Sequence, residues 1–254
     1  MDYAGHPADL DELRTIADKH KIYLIEDAAH SIGSTYKNRM VGSIADITTF
    51  SFFPSKNMTT AEGGAVASIH PELLLKAKRF SRQGLIRNSE EFIIKSEGPW
   101  HQEVHEFGLN YRLPDVLCAL GISQLGRLEK FRQQKNNIHS RYSEALSNLG
   151  SVNLPTPKNY VNPNWHLYSI QVSASTRRNV FEAMRAKGIG VQVNYMPAHW
   201  HPVFSDQDSN FGKYPVAEAY YKSQISLPMH ANLTELDQEY VSKTLISICG
   251  TPKN

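Results

Sequence analysis

Apolar residues at Leu10, Leu13, Ile16 and Ala17 recur at the spacing of one helical face, and Asp9 with Glu12 three residues on supplies a polar start for that helix. The uninterrupted apolar run Ile22-Tyr23-Leu24-Ile25 then predicts a buried strand. Helix followed by buried strand points to an α/β arrangement. A polar connection through Lys37-Asn38-Arg39 leads to a second strand over residues 47–53, ended by Pro54, and the pair Gly63-Gly64 opens a third over 64–68. Pro71 starts a helix that runs to Phe80. Residues 83–112 read as mostly irregular, with Gly98-Pro99-Trp100 and Gly108 as breakers, and loops of that length tend to be functional or mobile. Residues 114–149 are helical in pattern, with interruptions around Gly121 and Gly126. Beyond them a smaller α/β unit is expected: strand 167–172, helix 177–187, strand 189–194, and helices from Val216 and Thr234. The pattern divides the chain into a first domain over 1–130 and a second, with its connecting helix, over 131–254. No internal repeat interrupts this order.

Composition narrows the chemistry. The 254 residues are 41% hydrophobic with a formal net charge of +2, and no basic stripe with interleaved aromatics occurs, which argues against a nucleic-acid partner. Cys118 and Cys249 stand far apart and outside any CxxC spacing, so neither a disulfide framework nor a metal site is expected, and a reducing, cytoplasmic setting fits. No apolar run reaches membrane-spanning length, and no secretory signal opens the chain.

Two clusters carry candidate chemistry. Glu26-Asp27-Ala28-Ala29-His30 leaves the carboxyl end of the first strand, where open α/β sheets place their ligand crevice. Taken alone, Asp27 reads first as a cap for the following turn. Its functional reading is a carboxylate facing a pyridine nitrogen, with small Ala28 and Ala29 letting a flat ring lie close to the backbone. The second cluster is Phe50-Ser51-Phe52-Phe53-Pro54-Ser55-Lys56, followed by Glu62-Gly63-Gly64. A lone lysine after a strand is commonly a solvated one. Here, with few charges nearby, it suits a desolvated amine of lowered pKa, and Ser51 and Ser55 add hydroxyls able to donate to a phosphate. Gly63-Gly64 by itself reads as a plain turn.

The series from Asp27-Ala28-Ala29-His30 through Ser51 and Lys56 to Glu62-Gly63-Gly64 resembles the core of the DegT-type sugar aminotransferases, which belong to the fold-type-I pyridoxal-phosphate (PLP) enzymes. The likeness continues through Gly108-Leu109-Asn110-Tyr111-Arg112-Leu113, Trp165-His166-Leu167-Tyr168 and residues 188–195 to Pro197 and His199, so it covers essentially the whole chain. The stretch Glu97-Gly98-Pro99-Trp100 leading into Asn110-Tyr111-Arg112 is most similar to the branch that aminates a UDP-linked 4-keto-6-deoxy-N-acetylhexosamine on the way to pseudaminic acid.

This resemblance implies an α/β fold with a mixed, mostly parallel sheet in a partial large domain and a smaller C-terminal domain. It implies PLP as cofactor, with Lys56 bonding its aldehyde and shuttling the proton, Asp27 on the pyridinium, His30 near the phenolic oxygen and Ser51 on the phosphate. Asn110, with Arg112 beside it, would reach the phosphate of a neighbouring subunit in a homodimer, and Tyr195 and His199 would line the sugar side. An amino acid, glutamate first among them, would be the donor and a nucleotide-linked keto-sugar the acceptor. Asn194 and Phe53 stand where relatives carry His, which bears on sugar identity. Relatives also have upstream segments that supply a further phosphate-binding turn and a residue stacked on the ring. Those have no counterpart before Met1, so the chain is expected to be N-terminally incomplete and to need an upstream polypeptide for full turnover. A second reading is a non-catalytic remnant, or one half of a split enzyme, that keeps the dimer surface. A third, a sugar dehydratase of the same fold, would need His where Lys56 stands.

Overall fold

The computed structural model describes residues 1–95, 97–204 and 211–250. Its contacts divide the chain into two compact units, one of residues 1–128 with 160–163 and one of 129–159 with 164–254.

In the first unit, α1 (Leu10–His20) begins after Asp9, whose side chain makes no cap bond to the helix and instead accepts from the Tyr160 hydroxyl at 2.8 Å. The expected strand 22–25 forms three residues later, as β1 (Ile25–Asp27). The displacement has a local cause: the Leu24 N–H donates to the Asp46 carboxylate at 2.7 Å, so a side chain takes the place of a ladder partner there. Nor is that stretch buried, since Ile22, Tyr23 and Ile25 are 58–63% exposed. An apolar run states which residues favour cover and leaves open what covers them.

β2 (Thr35–Tyr36) and β3 (Arg39–Met40) form a hairpin. Its two turn residues, Lys37 and Asn38, both take positive φ, as a two-residue turn matched to strand twist requires. β4 (Ile47–Ser51), β5 (Gly64–Ser68) and α2 (Pro71–Phe80) follow. β1 runs parallel to β4, and β4 antiparallel to β5, giving a mixed sheet of order β1-β4-β5. Among the described residues of 83–112, the short pair β6 (Leu85–Ile86) and β7 (Glu103–Val104) and a 3-10 turn at Ser89–Glu91 are the regular elements. α3 (Asp115–Leu125) carries the apolar side chains Val116 and Ile122, each more than 70% exposed. The expected interruption at Gly121 does not occur, whereas the one at Gly126 separates α3 from α4 (Leu128–Leu146). β8 (Val161–Asn162) returns to pair with β2, and Leu10, Tyr36, Ile44 and Val161 form a small buried cluster.

The second unit packs α4 with α5 (Arg177–Ala186) and α7 (Glu235–Cys249) around the antiparallel pair β9 (Tyr168–Gln171) and β10 (Gln224–Leu227). α6 (Pro215–Ser223) leads into β10. Tyr142, Leu146, Tyr168, Ile170, Met184, Ile225 and Leu245 are fully enclosed there. Thr234 and Asp237 make a reciprocal capping box at the start of α7. The strand expected over 189–194 is absent, and only an isolated bridge joins Gln192 to Ser226. The reason is again a side chain: buried Gln224 accepts from the Asn194 N–H at 2.8 Å, ending the ladder there. No helix among the described residues is long and apolar enough to cross a membrane, and none of their acidic, His and Cys side chains cluster as a metal site.

Candidate active site

Parallel pairing of β1 and β4 sets Asp27 beside Thr49, so Asp27 and Ser51 leave the same carboxyl edge of the sheet. β5 returns with Gly64 opposite Ser51. A Cβ on Gly64 would stand 2.6 Å from the Phe50 carbonyl oxygen, so the strands approach this closely only with glycine at that position. Phe52 closes the intervening loop from both sides, donating to Gly63 O at 2.9 Å and accepting from Thr60 N at 3.0 Å. Lys56 sits inside this loop on a turn in which its N–H donates to Phe53 O at 2.9 Å. The lysine is thereby presented from a closed turn beside the strand ends.

Asp27, His30 and Lys56 share one electrostatic field. Burial lowers the Lys56 pKa, with the Asp27 charge opposing it. His30, 2% exposed, is brought down to about 4 by burial and then by the Lys56 charge, against the pull of Asp27. The imidazole is therefore neutral at pH 7. The Ala4 N–H approaches His30 Nδ1 at 3.4 Å as a donor, which leaves the ring proton on Nε2. Asp27 shapes the following turn and keeps one carboxylate oxygen available. Its Oδ1 accepts from Ala29 N at 3.0 Å and shapes the turn, while Oδ2 accepts from none of the described residues. Ala28 is buried and donates to Thr49 O, keeping that turn flat against β4.

Ser51 is half-buried, and its hydroxyl makes no hydrogen bond to a described residue; Ser55 is exposed. The donor set fits pyridoxal phosphate: a lysine amine of lowered pKa for the aldehyde, a carboxylate oxygen for the ring N–H, a neutral His for the phenolic oxygen and a Ser hydroxyl for the phosphate. Asn110 lies elsewhere in this unit, bridged to Arg82 and accepting from Arg112 Nε at 2.8 Å, with no hydrogen bond to Asp27, Ser51 or Lys56. In the second unit Tyr195 is exposed. His199 bonds Glu218 at 3.1 Å and packs edge-on to Tyr214. Burial works to raise the Glu218 pKa, but the Gly212 N–H, His199 and the Tyr214 N–H outweigh it and bring it down to about 2. His199 thus helps anchor the start of α6.

Two neighbouring residues make contacts to which the sequence reading gave no role. Glu26, one position from Asp27 and on the opposite face of β1, is 3% exposed and accepts from Thr48 Oγ1 at 2.9 Å and Gly42 N at 3.3 Å. Strand parity could have found it, since consecutive residues point to opposite faces. Asn57, next to Lys56, is buried and donates from Nδ2 to the His30 carbonyl at 3.1 Å. No sequence signal marks it.

Residues 1–246 match the model of the DegT/DnrJ/EryC1/StrS aminotransferase family. The UDP-4-amino-4,6-dideoxy-N-acetyl-beta-L-altrosamine transaminase of Campylobacter jejuni is 36% identical over 253 residues, covering 98% of this chain and 64% of that protein. An uncharacterized protein of Methanocaldococcus jannaschii, MJ1066, is 36% identical over 240 residues, covering 92% of this chain and 62% of its own length. Among solved structures, Helicobacter pylori PseC, described as an aminotransferase of pseudoaminic acid biosynthesis, superimposes with a TM-score of 0.88 at 28% identity over 97% of this chain and 65% of that one. A putative sugar aminotransferase of Streptococcus pneumoniae, solved in a PLP form, gives 0.88 at 25% identity, covering 98% and 67%. The chain spans less than two thirds of the length of these curated relatives. With the lysine turn, the aspartate strand and the glycine pair in one ordered site, and the match running through both units, the chain belongs to the DegT/DnrJ/EryC1/StrS aminotransferase family.

Proposed function

We propose that Lys56, Asp27, His30 and Ser51 hold pyridoxal phosphate, and that the activity is transfer of an amino group from an amino acid, glutamate first, to a nucleotide-linked 4-keto-6-deoxy sugar in surface-glycan or nonulosonic-acid biosynthesis. The observation that carries the reading is geometric: Asp27 and Ser51 leave one carboxyl edge of the sheet with the closed Lys56 turn following β4, and burial there lowers the Lys56 pKa. The name of the Campylobacter jejuni relative supports the substrate class. Pyridoxal phosphate, when bound, would supply an aldehyde carbon to carry the amino group and an electron-withdrawing ring beside it. Lys56 Nζ, its neutral form favoured by burial, takes up and returns the proton that moves during transfer. Asp27 Oδ2 accepts the ring N–H and keeps it protonated by its charge. His30 offers Nε2–H to an oxygen acceptor, and Ser51 Oγ donates to the phosphate. The proposal extends to a homodimer in which Asn110 serves the neighbouring site.

The test is to incubate the protein with pyridoxal phosphate, reduce with borohydride and map the adduct by mass spectrometry. Label on Lys56, absent from Lys56→Ala, is the expected result. A label on other lysines, unchanged in that variant, overturns the assignment. Glutamate-dependent amination of a UDP-4-keto-6-deoxy-N-acetylhexosamine then tests the substrate class.

A further inference from the structure

We propose that the cleft between the end of α2 and the β6–β7 pair is an anion site for the diphosphate of a nucleoside diphosphate. The cleft has a volume of about 270 Å³ and is lined by Lys78, Arg79, Arg82, Arg87 and Arg112, with Glu91 as its one acidic side chain. Five cations against one carboxylate leave four uncompensated positive charges there, in a chain whose whole formal charge is +2. Arg79 pairs with Glu91, and Arg112 Nε donates to Asn110 at 2.8 Å. Lys78, Arg82 and Arg87 form no ion pair or side-chain hydrogen bond with any described residue. Like charges gathered without internal partners repel one another, and an anion relieves that repulsion. Guanidinium forks match phosphate oxygens two at a time.

The backbone beneath these side chains is tightly built. Leu109 N donates to Phe80 O at 2.7 Å, Gln83 N to Leu109 O at 3.1 Å and Tyr111 N to Ser81 O at 2.9 Å, so the segment carrying Arg112 is laced to the exit of α2 carrying Arg82. The lacing requires glycine on both sides. A Cβ on Gly84 would meet Glu106 O at 1.8 Å, and one on Gly108 would meet Gly84 N and Phe80 O at 2.6 Å. The same segment continues to Leu113, whose Cδ1 would lie 2.9 Å from a Cβ on Gly63, so the stretch of chain that carries Arg112 runs on to the glycine turn of the lysine loop.

Ligand class follows from the lining. Leu75, Leu85 and Ile86 give one wall an apolar surface that suits a sugar or base edge, while the absence of an aromatic lining residue leaves the base without a stacking partner. Phosphate charge therefore dominates recognition, and base identity contributes less. That the ligand is a nucleotide rests on the substrate class proposed above; the cationic cleft does not.

The experiment is calorimetric titration of the protein with UDP, UMP, uridine and inorganic pyrophosphate, on the wild type and on Arg82→Ala and Arg87→Ala. Both side chains are exposed and without partners, so the variants are expected to fold, with unchanged borohydride labelling of Lys56 as the control. Expected are binding of UDP more tightly than UMP, competition by pyrophosphate, weakening by salt, and a loss on the order of tenfold in each variant. Uridine binding as tightly as UDP, pyrophosphate failing to displace UDP, or UDP affinity unchanged in both variants overturns the proposal. Labelling of Lys56 without UDP binding would reject the cleft and leave the aminotransferase reading intact; UDP binding at the cleft without Lys56 labelling would do the reverse.

Discussion

Asn57 Nδ2 donates a 3.1 Å hydrogen bond to the carbonyl oxygen of His30, tying the turn that presents Lys56 to the turn that presents Asp27. Both residues are buried, so removing the donor forfeits a hydrogen bond in a place shielded from solvent. Asn57→Ala is expected to lower stability by about 1–3 kcal/mol and to weaken pyridoxal-phosphate binding along with it. Denaturant unfolding and cofactor titration on the same samples check this. Loss of stability with unchanged cofactor affinity would show that the bond holds the fold without positioning the site.

The close approach of β4 and β5 predicts the behaviour of Gly64→Ala. A methyl group 2.6 Å from the Phe50 carbonyl oxygen forces the strands apart at the pair where Ser51 faces residue 64. Overpacking against backbone costs about 1–3 kcal/mol, and the Ser51 hydroxyl shifts with its strand. Reduced melting temperature together with a lowered yield of Lys56 adduct is expected. A wild-type adduct yield would mean that Ser51 and the lysine loop move independently of this contact.

Much of this was legible in the sequence, and the failures share one physical form. Helices with a marked first residue, Pro71 for α2 and Thr234 before α7, begin where the sequence places them. Strand limits were misplaced where a polar side chain substitutes for the backbone ladder, Asp46 at Leu24 and Gln224 at Asn194, because such bonds join residues 22 and 30 positions apart. For the candidate site, strand ends and local charge draw attention to Asp27, Ser51 and Lys56, while their proposed roles come from the family resemblance. Asn57 and Glu26 act by burial and by what they touch across the fold; strand parity marks Glu26 locally, and nothing in the sequence marks Asn57. The cationic cleft was hidden for a related reason: Arg112 lies 25 residues or more from Lys78, Arg79, Arg82 and Arg87 and joins them through long-range backbone bonds and the Gly84–Gly108 approach.

Glu26 gives the site an uncommon pH response. Burial, and then the charge of Asp2, raise its pKa from 4.5 to about 7, against the Thr48 and Gly42 bonds. Between about pH 4.5 and 7 the folded chain therefore retains a proton that the unfolded chain releases. Its favourable contribution is complete below 4.5 and is lost as pH rises to about 7, a difference of about 3 kcal/mol at roughly 1.4 kcal/mol per unit. Glu26→Gln reproduces the protonated shape and should remove this slope, raising stability at pH 7–8 relative to the wild type. Denaturant unfolding across pH 4.5–8 reads it directly. A Glu26→Gln profile parallel to the wild type over that range would exclude the buried acid.

His30 pulls the other way, and the two residues must be read together. Its pKa falls from 6.5 to about 4 through burial and the Lys56 charge, so in this window the unfolded chain binds the extra proton. Its contribution is complete above about pH 6.5 and is lost as pH falls through 4. Between about 4.5 and 6.5 the Glu26 and His30 slopes have opposite signs, and the wild-type profile is expected to be shallow there. Each variant unmasks the other group: His30→Gln should leave stability falling as pH rises, and Glu26→Gln should leave it falling as pH drops. The imidazole can also be followed on its own by nitrogen-15 NMR. The Ala4 donor predicts a neutral ring with its proton on Nε2 that does not titrate between pH 5.5 and 8. An ordinary titration near 6.5, or a proton on Nδ1, would remove His30 as a fixed donor to the cofactor's phenolic oxygen and would leave it a packing residue behind Lys56.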